Sequence, residues 1–193
     1  MSAIRAFIAI DFPSEIHQRL DHLTGELRSR LPDVSIRWVP GMNIHLTLKF
    51  LGDVSTTNLE MLYAIVRSEA EKHPVFEIGV GELGAFPTIK RPRVIWVGVE
   101  APAELSALQG GIENETTRLG YAPERRPFSP HLTVGRVSRN VTSNQVHQIS
   151  DVLSDCKVGF LGATRVESVN LYRSDLQPSG AKYTRLYSAE LIQ

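Results

Sequence analysis

Ile16, Leu20, Leu23, Leu27 and Leu31 recur at alternating spacings of four and three behind Pro13-Ser14. This stripe predicts an amphipathic helix of about four to five turns with one face on a sheet. A second helix is predicted where Thr57-Asn58-Leu59-Glu60, which fits a capping box, precedes Leu62, Val66 and Ala70. Leu105, Leu108, Ile112 and Leu119 predict a third, and Val146, Ile149 and Leu153 a weaker fourth.

Between these stripes lie runs rich in β-branched and aromatic residues: Ile36 to Val39, His45 to Leu51, Phe76 to Leu83, Val94 to Val99, His131 to Val137, Val166 to Tyr172 and Thr184 to Leu191. Phe7-Ile8-Ala9-Ile10 reads as a first strand, because the apolar N-terminal stretch is too short and too interrupted by charge for a signal core. A cytoplasmic protein with no membrane association is the expectation. Short Gly and Pro turns, such as Pro40-Gly41 and the segment from Pro87 to Pro92, favour antiparallel pairing. The predicted class is therefore α+β. The order strand, helix, strand, His-bearing strand, helix recurs loosely in the second half, which predicts two similar lobes of mainly antiparallel sheet with outer helices, facing a central cleft. Residues 1–193 are expected to form this single bilobal domain.

Composition narrows the function. Of the 193 residues 42% are hydrophobic and 22% charged, as in an ordinary globular protein. Lys and Arg number 21, as do Asp and Glu. No overall basic field exists to gather long nucleic acids, so any RNA contact must be local. The one cysteine, Cys156, has no partner for an internal disulfide and no neighbouring histidine in Ser154-Asp155-Cys156-Lys157 to activate it, so it reads as structural.

Two tetrapeptides carry the chemistry. His45-Leu46-Thr47-Leu48 and His131-Leu132-Thr133-Val134 share one pattern, each in a β-rich run. Side chains alternate along a strand, so each histidine shares a face with its threonine while the aliphatic residues point into a core. A lone strand histidine is more often structural. Two in one pattern, among six histidines in all, point instead to a paired acid and base. Histidine suits both roles because its unperturbed pKa of about 6.5 lies near neutrality.

The flanks, Asn43-Ile44-His45-Leu46-Thr47-Leu48-Lys49-Phe50-Leu51-Gly52 and Arg126-Pro127-Phe128-Ser129-Pro130-His131-Leu132-Thr133-Val134-Gly135-Arg136, resemble the signature stretches of the two-histidine phosphoesterase superfamily. The likeness is greatest to its RNA 2',3'-cyclic phosphodiesterase branch, also called 2'-5' RNA ligases, and spans nearly the whole chain. It implies hydrolysis of an RNA 2',3'-cyclic phosphate end to a 2'-phosphomonoester, with His45 as proton donor and His131 as proton acceptor. A threonine hydroxyl on each strand face, Thr47 and Thr133, would donate to the non-bridging oxygens. The resemblance also implies that Phe50 and Arg136 line the substrate site. Both lie five residues past their histidine, where strict alternation would turn them away, so a bulge or a strand end must bring them inward. Phe50 would then offer a face to a base or ribose, and Arg136 a planar cation to phosphate. The partner is RNA or a nucleotide with a cyclic phosphate, tRNA fragments among them. The protein is expected to act as a monomer without cofactor.

Three rivals remain at this point. The same site run backwards joins a 5'-hydroxyl through a 2'-5' bond, and a module that only binds nucleotides would keep the cleft without needing both histidines. A metal site would want further ligands, yet no carboxylate lies within three residues of either motif and no His-x-His or Cys-x-x-Cys occurs. His17, His22, His73 and His147 read as solvated surface groups. The basic clusters Lys90-Arg91-Pro92-Arg93, Arg125-Arg126 and Lys182 with Arg185 are candidate cleft-rim charges outside the catalytic set.

Overall fold

The structure of the protein, a computed structural model, describes residues 3–177 and 180–193. Its strands are β1 (Ala3–Ile10), β2 (Ile36–Trp38), β3 (Leu46–Ser55), β4 (Phe76–Thr88), β5 (Arg91–Val99), β6 (His131–Val137), β7 (Phe160–Val166), β8 (Ser168–Gln177) and β9 (Gly180–Glu190). The helices are α1 (Ser14–Arg30), α2 (Leu59–Ala70), α3 (Ala103–Arg118) and α4 (Ser143–Asp155). The strands make two antiparallel sheets, in the orders β3-β1-β8-β9 and β2-β6-β5-β4-β7. The α+β class and the two lobes expected from the sequence are both present.

The lobes are not the two halves of the chain. β8 and β9 close the first sheet beside β1, and β2 leaves the first half to pair with β6. Helices cross over as well. α1 follows β1 yet packs on β6 and β7, while α3 follows β5 yet packs on β3 and on α2. Setting the orders β3-β1-β8-β9 and β6-β5-β4-β7 side by side matches each motif strand with its inner neighbour, and β2 is an addition to one edge. The second half therefore lacks the extra strand that a full repeat would need.

The helix stripes explain the packing. Ile16, Leu20, Leu23 and Leu27 are buried under the second sheet, and Leu62 and Val66 of α2 with Leu105, Leu108 and Ile112 of α3 are buried under the first. Leu46 and Leu48, like Leu132 and Val134, point into the core as alternation requires.

Several boundaries differ from expectation. The box at Thr57 does not form, because Thr56–Asn58 is a 3-10 turn whose start is capped by Ser55. A reciprocal capping box forms instead at Thr142 and Gln145, opening the helix whose apolar stripe was weakest. The run from Val166 to Tyr172 is the end of β7 and the start of β8, separated by Glu167. β7 itself, Phe-Leu-Gly-Ala-Thr-Arg-Val, alternates too poorly to stand out. Pro87 and Pro92 lie within β4 and β5, whose pairing is shifted at that point, and only Ile89-Lys90 turn between the strands. His17, expected to be solvated, is half-buried, with its Nε2 enclosed and without a partner among the described residues.

Candidate active site

Each motif reaches its strand through the same local construction. The Nδ1 of His45 lies 3.0 Å from the Asn43 carbonyl, and the Nδ1 of His131 lies 2.7 Å from the Ser129 carbonyl. A carbonyl only accepts, so Nδ1 is the donor in both rings and Nε2 is left for chemistry. His131 opens β6, whereas His45 stands one residue ahead of β3.

The irregularity needed to turn Phe50 and Arg136 inward is present on both strands, at the same motif position. Ala9 pairs with Thr47 and Ile8 with Lys49, so Leu48 is the extra residue. Trp96 pairs with Thr133 and Ile95 with Gly135, so Val134 is its counterpart. Two successive residues are consequently buried at each bulge, Leu48-Lys49 and Val134-Gly135, and alternation resumes with Phe50 and Arg136 exposed on the threonine face.

The buried Lys49 faces the other way, donating to Glu113 of α3 at 2.7 Å and to the Ala122 carbonyl at 2.8 Å. Glu113 also accepts from the Glu124 amide at 2.8 Å. One ion pair thus joins the His45 strand to the segment that leads into His131. The motif strands β3 and β6 also contact one another across the sheets. Arg136 lies close enough to both histidines to disfavour their charged forms. All six residues singled out by the sequence, His45, Thr47, Phe50, His131, Thr133 and Arg136, therefore lie on the cleft faces of two adjoining strands. Among the described residues, no hydrogen bond occupies the hydroxyl of Thr47 or Thr133.

The surroundings of the two rings differ. His45 stacks on Phe7, with centroids 4.6 Å apart, and meets the edge of Tyr183 at 5.1 Å. His131 has Phe86 against it at 4.9 Å. Burial first, and then the charge of Arg136, lowers the pKa of both histidines, that of His45 to about 4.

Asp11 opposes this on one side only. Extending the register Ala9 to Thr47 and Ile10 to Leu46 by one position sets Asp11 opposite His45, on the same face. Its carboxylate favours the charged imidazolium. Tyr172 donates to that carboxylate at 2.6 Å and Asn170 at 3.3 Å, while Arg185 lies 3.8 Å away. Burial, then this hydrogen bond, holds the Tyr172 phenol well above its ordinary value. The residue opposite His131 is Gly98, and a Cβ there would fall 2.9 Å from the Gly81 carbonyl oxygen. No side chain fits at the position that Asp11 fills in the other lobe.

Among the described residues no group of three or more His, Cys, Asp or Glu is placed to hold a metal ion. A cavity of about 520 Å³ between α1 and the segment from Cys156 to Leu161 contains neither motif. No helix among the described residues is long and apolar enough to cross a membrane.

Asp11, Phe7, Tyr172 and Tyr183 escape sequence reasoning because strand register, not spacing, carries them to His45. The signal that could have found Asp11 is its place just past the first strand, where a charge follows five buried residues.

Comparisons with known proteins agree with this geometry. The family described as LigT like phosphoesterase matches residues 10–96 and again 97–183. The RNA 2',3'-cyclic phosphodiesterase of Methanothermobacter thermautotrophicus is 35% identical over 94% of this chain and 95% of its own. That of Archaeoglobus fulgidus is 32% identical over 95% of this chain and 98% of its own. The crystal structure of Escherichia coli LigT complexed with 3'-AMP superposes with a TM-score of 0.80 at 28% identity, covering 100% of both chains. With two matches that leave little of the chain outside them, and one His-x-Thr strand in each, the chain belongs to the LigT-like family of two-histidine phosphoesterases.

Proposed function

We propose that the protein hydrolyses 2',3'-cyclic phosphate ends of RNA to 2'-phosphomonoesters without a metal, as one bilobal unit acting as a monomer. Supporting the substrate class are the relatives named RNA 2',3'-cyclic phosphodiesterase, which align with nearly the full chain. Solved structures of Escherichia coli LigT hold 3'-AMP, NADP+ and ATP, so nucleotides are ligands in this family. The observation that carries the mechanism is the twice-built histidine, each with Nδ1 tied to a carbonyl and Nε2 free beside a threonine.

In this reading His131 Nε2 takes a proton from the water whose oxygen attacks phosphorus. The bond from phosphorus to O3' breaks, its electron pair stays on O3', and His45 Nε2 supplies the proton that completes the 3'-hydroxyl. Thr47 and Thr133 donate to the non-bridging oxygens as their charge grows, and Arg136 adds a planar cation. Phe50, 61% exposed, offers its ring to the base.

A histidine with a pKa of about 4 is a poor proton donor at neutral pH in the empty site. The substrate changes this. A phosphate anion about 4 Å from the ring contributes on the order of 4 kcal/mol at an effective dielectric of 20, or about 3 pKa units. Asp11 adds to this at His45 and has no counterpart at His131, which favours His45 as the acid.

Incubation of the purified protein with RNA oligomers ending in a 2',3'-cyclic phosphate, in excess chelator, tests the reading. The expected product is a 2'-phosphate end. A 3'-phosphate would reverse the leaving oxygen, and activity lost to EDTA and restored by zinc or manganese would replace the mechanism by a metal-dependent one. Light scattering of the same preparation checks the monomer.

A further inference from the structure

Arg37 on β2 lies directly opposite Arg136 on β6, and both are exposed on the cleft side of the edge of the second sheet. Like charges facing one another across a ladder are destabilising, and none of the acid partners that pair with Arg118, Arg173 or Arg185 is present here. Among the described residues neither Arg37 nor Arg136 makes a salt bridge. Across the cleft stands Tyr183 of β9, the edge strand of the first sheet. The Asn43 side chain, in the turn between β2 and β3, donates to the Ala181 carbonyl of β9 at 3.2 Å. Burial raises the Tyr183 phenol, and the charges of Arg136, Arg37 and Arg5 act on it in the opposite sense. Its hydroxyl has no hydrogen-bond partner among the described residues. Arg5 pairs in register with Asp53 but no ion pair forms between them, so Arg5, like Arg37, is uncompensated among the described residues.

We infer that Arg37 and Tyr183 form a second phosphate subsite. It takes the phosphodiester on the 5' side of the terminal nucleotide when Arg136 and the two histidines hold the cyclic phosphate. The inference rests on the phosphodiesterase reading and extends it to substrate length. Neighbouring strands lie about 4.8 Å apart. Two arginines on adjacent strands therefore present guanidinium groups at a separation that long stems adjust to successive phosphates, and a planar guanidinium suits each. Tyr183, already packed edge-on against Phe7 and His45 at 5.1 Å, supplies a hydroxyl donor between the two anions. A mononucleotide leaves this subsite empty.

The test compares kcat/KM on a cyclic-ended mononucleotide, on the cyclic-ended dinucleotide, and on that dinucleotide with its internal phosphate replaced by an uncharged methylphosphonate. The wild-type protein is expected to prefer the dinucleotide by about tenfold, as for one charge-assisted contact, and to lose that preference on the methylphosphonate. Arg37→Ala, an exposed edge-strand change, should erase the preference, keep mononucleotide hydrolysis within about twofold, and show no further loss on the methylphosphonate. Equal loss on all three substrates, or a dinucleotide preference that survives in Arg37→Ala, overturns the subsite while leaving the phosphodiesterase reading intact. Hydrolysis of none of the three by the wild type overturns that reading and the subsite with it.

Discussion

His45 and His131 are held alike and surrounded differently. Each fixes Nδ1 on a carbonyl two residues back, and each is followed by a bulge at the fourth motif position. Yet His45 lies between Phe7 and Tyr183 with Asp11 across the ladder, whereas His131 meets Phe86 and faces Gly98. The shared part is what any acid or base needs: one tautomer, one orientation, one free nitrogen. The unshared part sets which proton each prefers to hold. In the proposed mechanism a duplicated motif becomes a directional pair through its neighbours, at positions the motif does not include.

The largest effect expected from breaking this pair is on chemistry itself. His45→Ala and His131→Ala should each lower turnover at least about a hundredfold in folded protein, since each removes one proton-transfer partner. Near-wild-type rates in either would end the shared-site account. The difference between the two appears on a substrate with a nitrophenolate leaving group, which needs no acid. There His45→Ala should recover much of its rate and His131→Ala should not. The opposite pattern would exchange the roles.

Thr47→Ala and Thr133→Ala should cost less, on the order of tenfold to a few hundredfold, as for loss of one donor to the charged oxygens. Full rates in both would make the threonines structural. A ratio far from one between them would show that the lobes hold the phosphate unequally.

Asp11→Asn sharpens the asymmetry most directly, at an expected cost of about tenfold in kcat at neutral pH. Asp11 favours the imidazolium of His45, so its removal lowers that pKa further. The acid is then lost at lower pH, and the basic limb of the rate profile should move to the acid side. In the wild type, the basic limb of kcat should lie above that of kcat/KM, because bound phosphate raises His45 from its low value in the free enzyme. A profile unchanged by Asp11→Asn would separate Asp11 from catalysis.

The smallest rate effect, and a clear stability effect, is expected at Lys49. Lys49→Met leaves the half-buried Glu113 without its cation and should cost about 3 kcal/mol in denaturant unfolding. A loss well below this would mean that Glu113 reaches solvent once released.

The two motifs and the face each presents were legible in the sequence because strand alternation is local: a histidine and a threonine two apart share a face whatever the rest of the chain does. The helices were legible where their stripe was regular, as in α1, and less so where a cap, Thr142 with Gln145, does what apolar spacing does not. The need for a bulge before Phe50 and Arg136 followed from counting along each strand once the family resemblance had set both residues in the site. Its place at Leu48 and Val134 did not, because a bulge is a property of two paired strands.

The sequence by itself determined the class, the motif strands and the face each motif presents, since these depend on residues a few positions apart. Only the tertiary structure decided that β2 crosses to the second sheet, that Lys49 ties one motif to the approach of the other, and that Asp11 opposes His45 where Gly98 opposes His131. Those facts depend on register between segments far apart in the chain. Register is fixed by burying the whole apolar face of every strand at once, and no short stretch of sequence contains it.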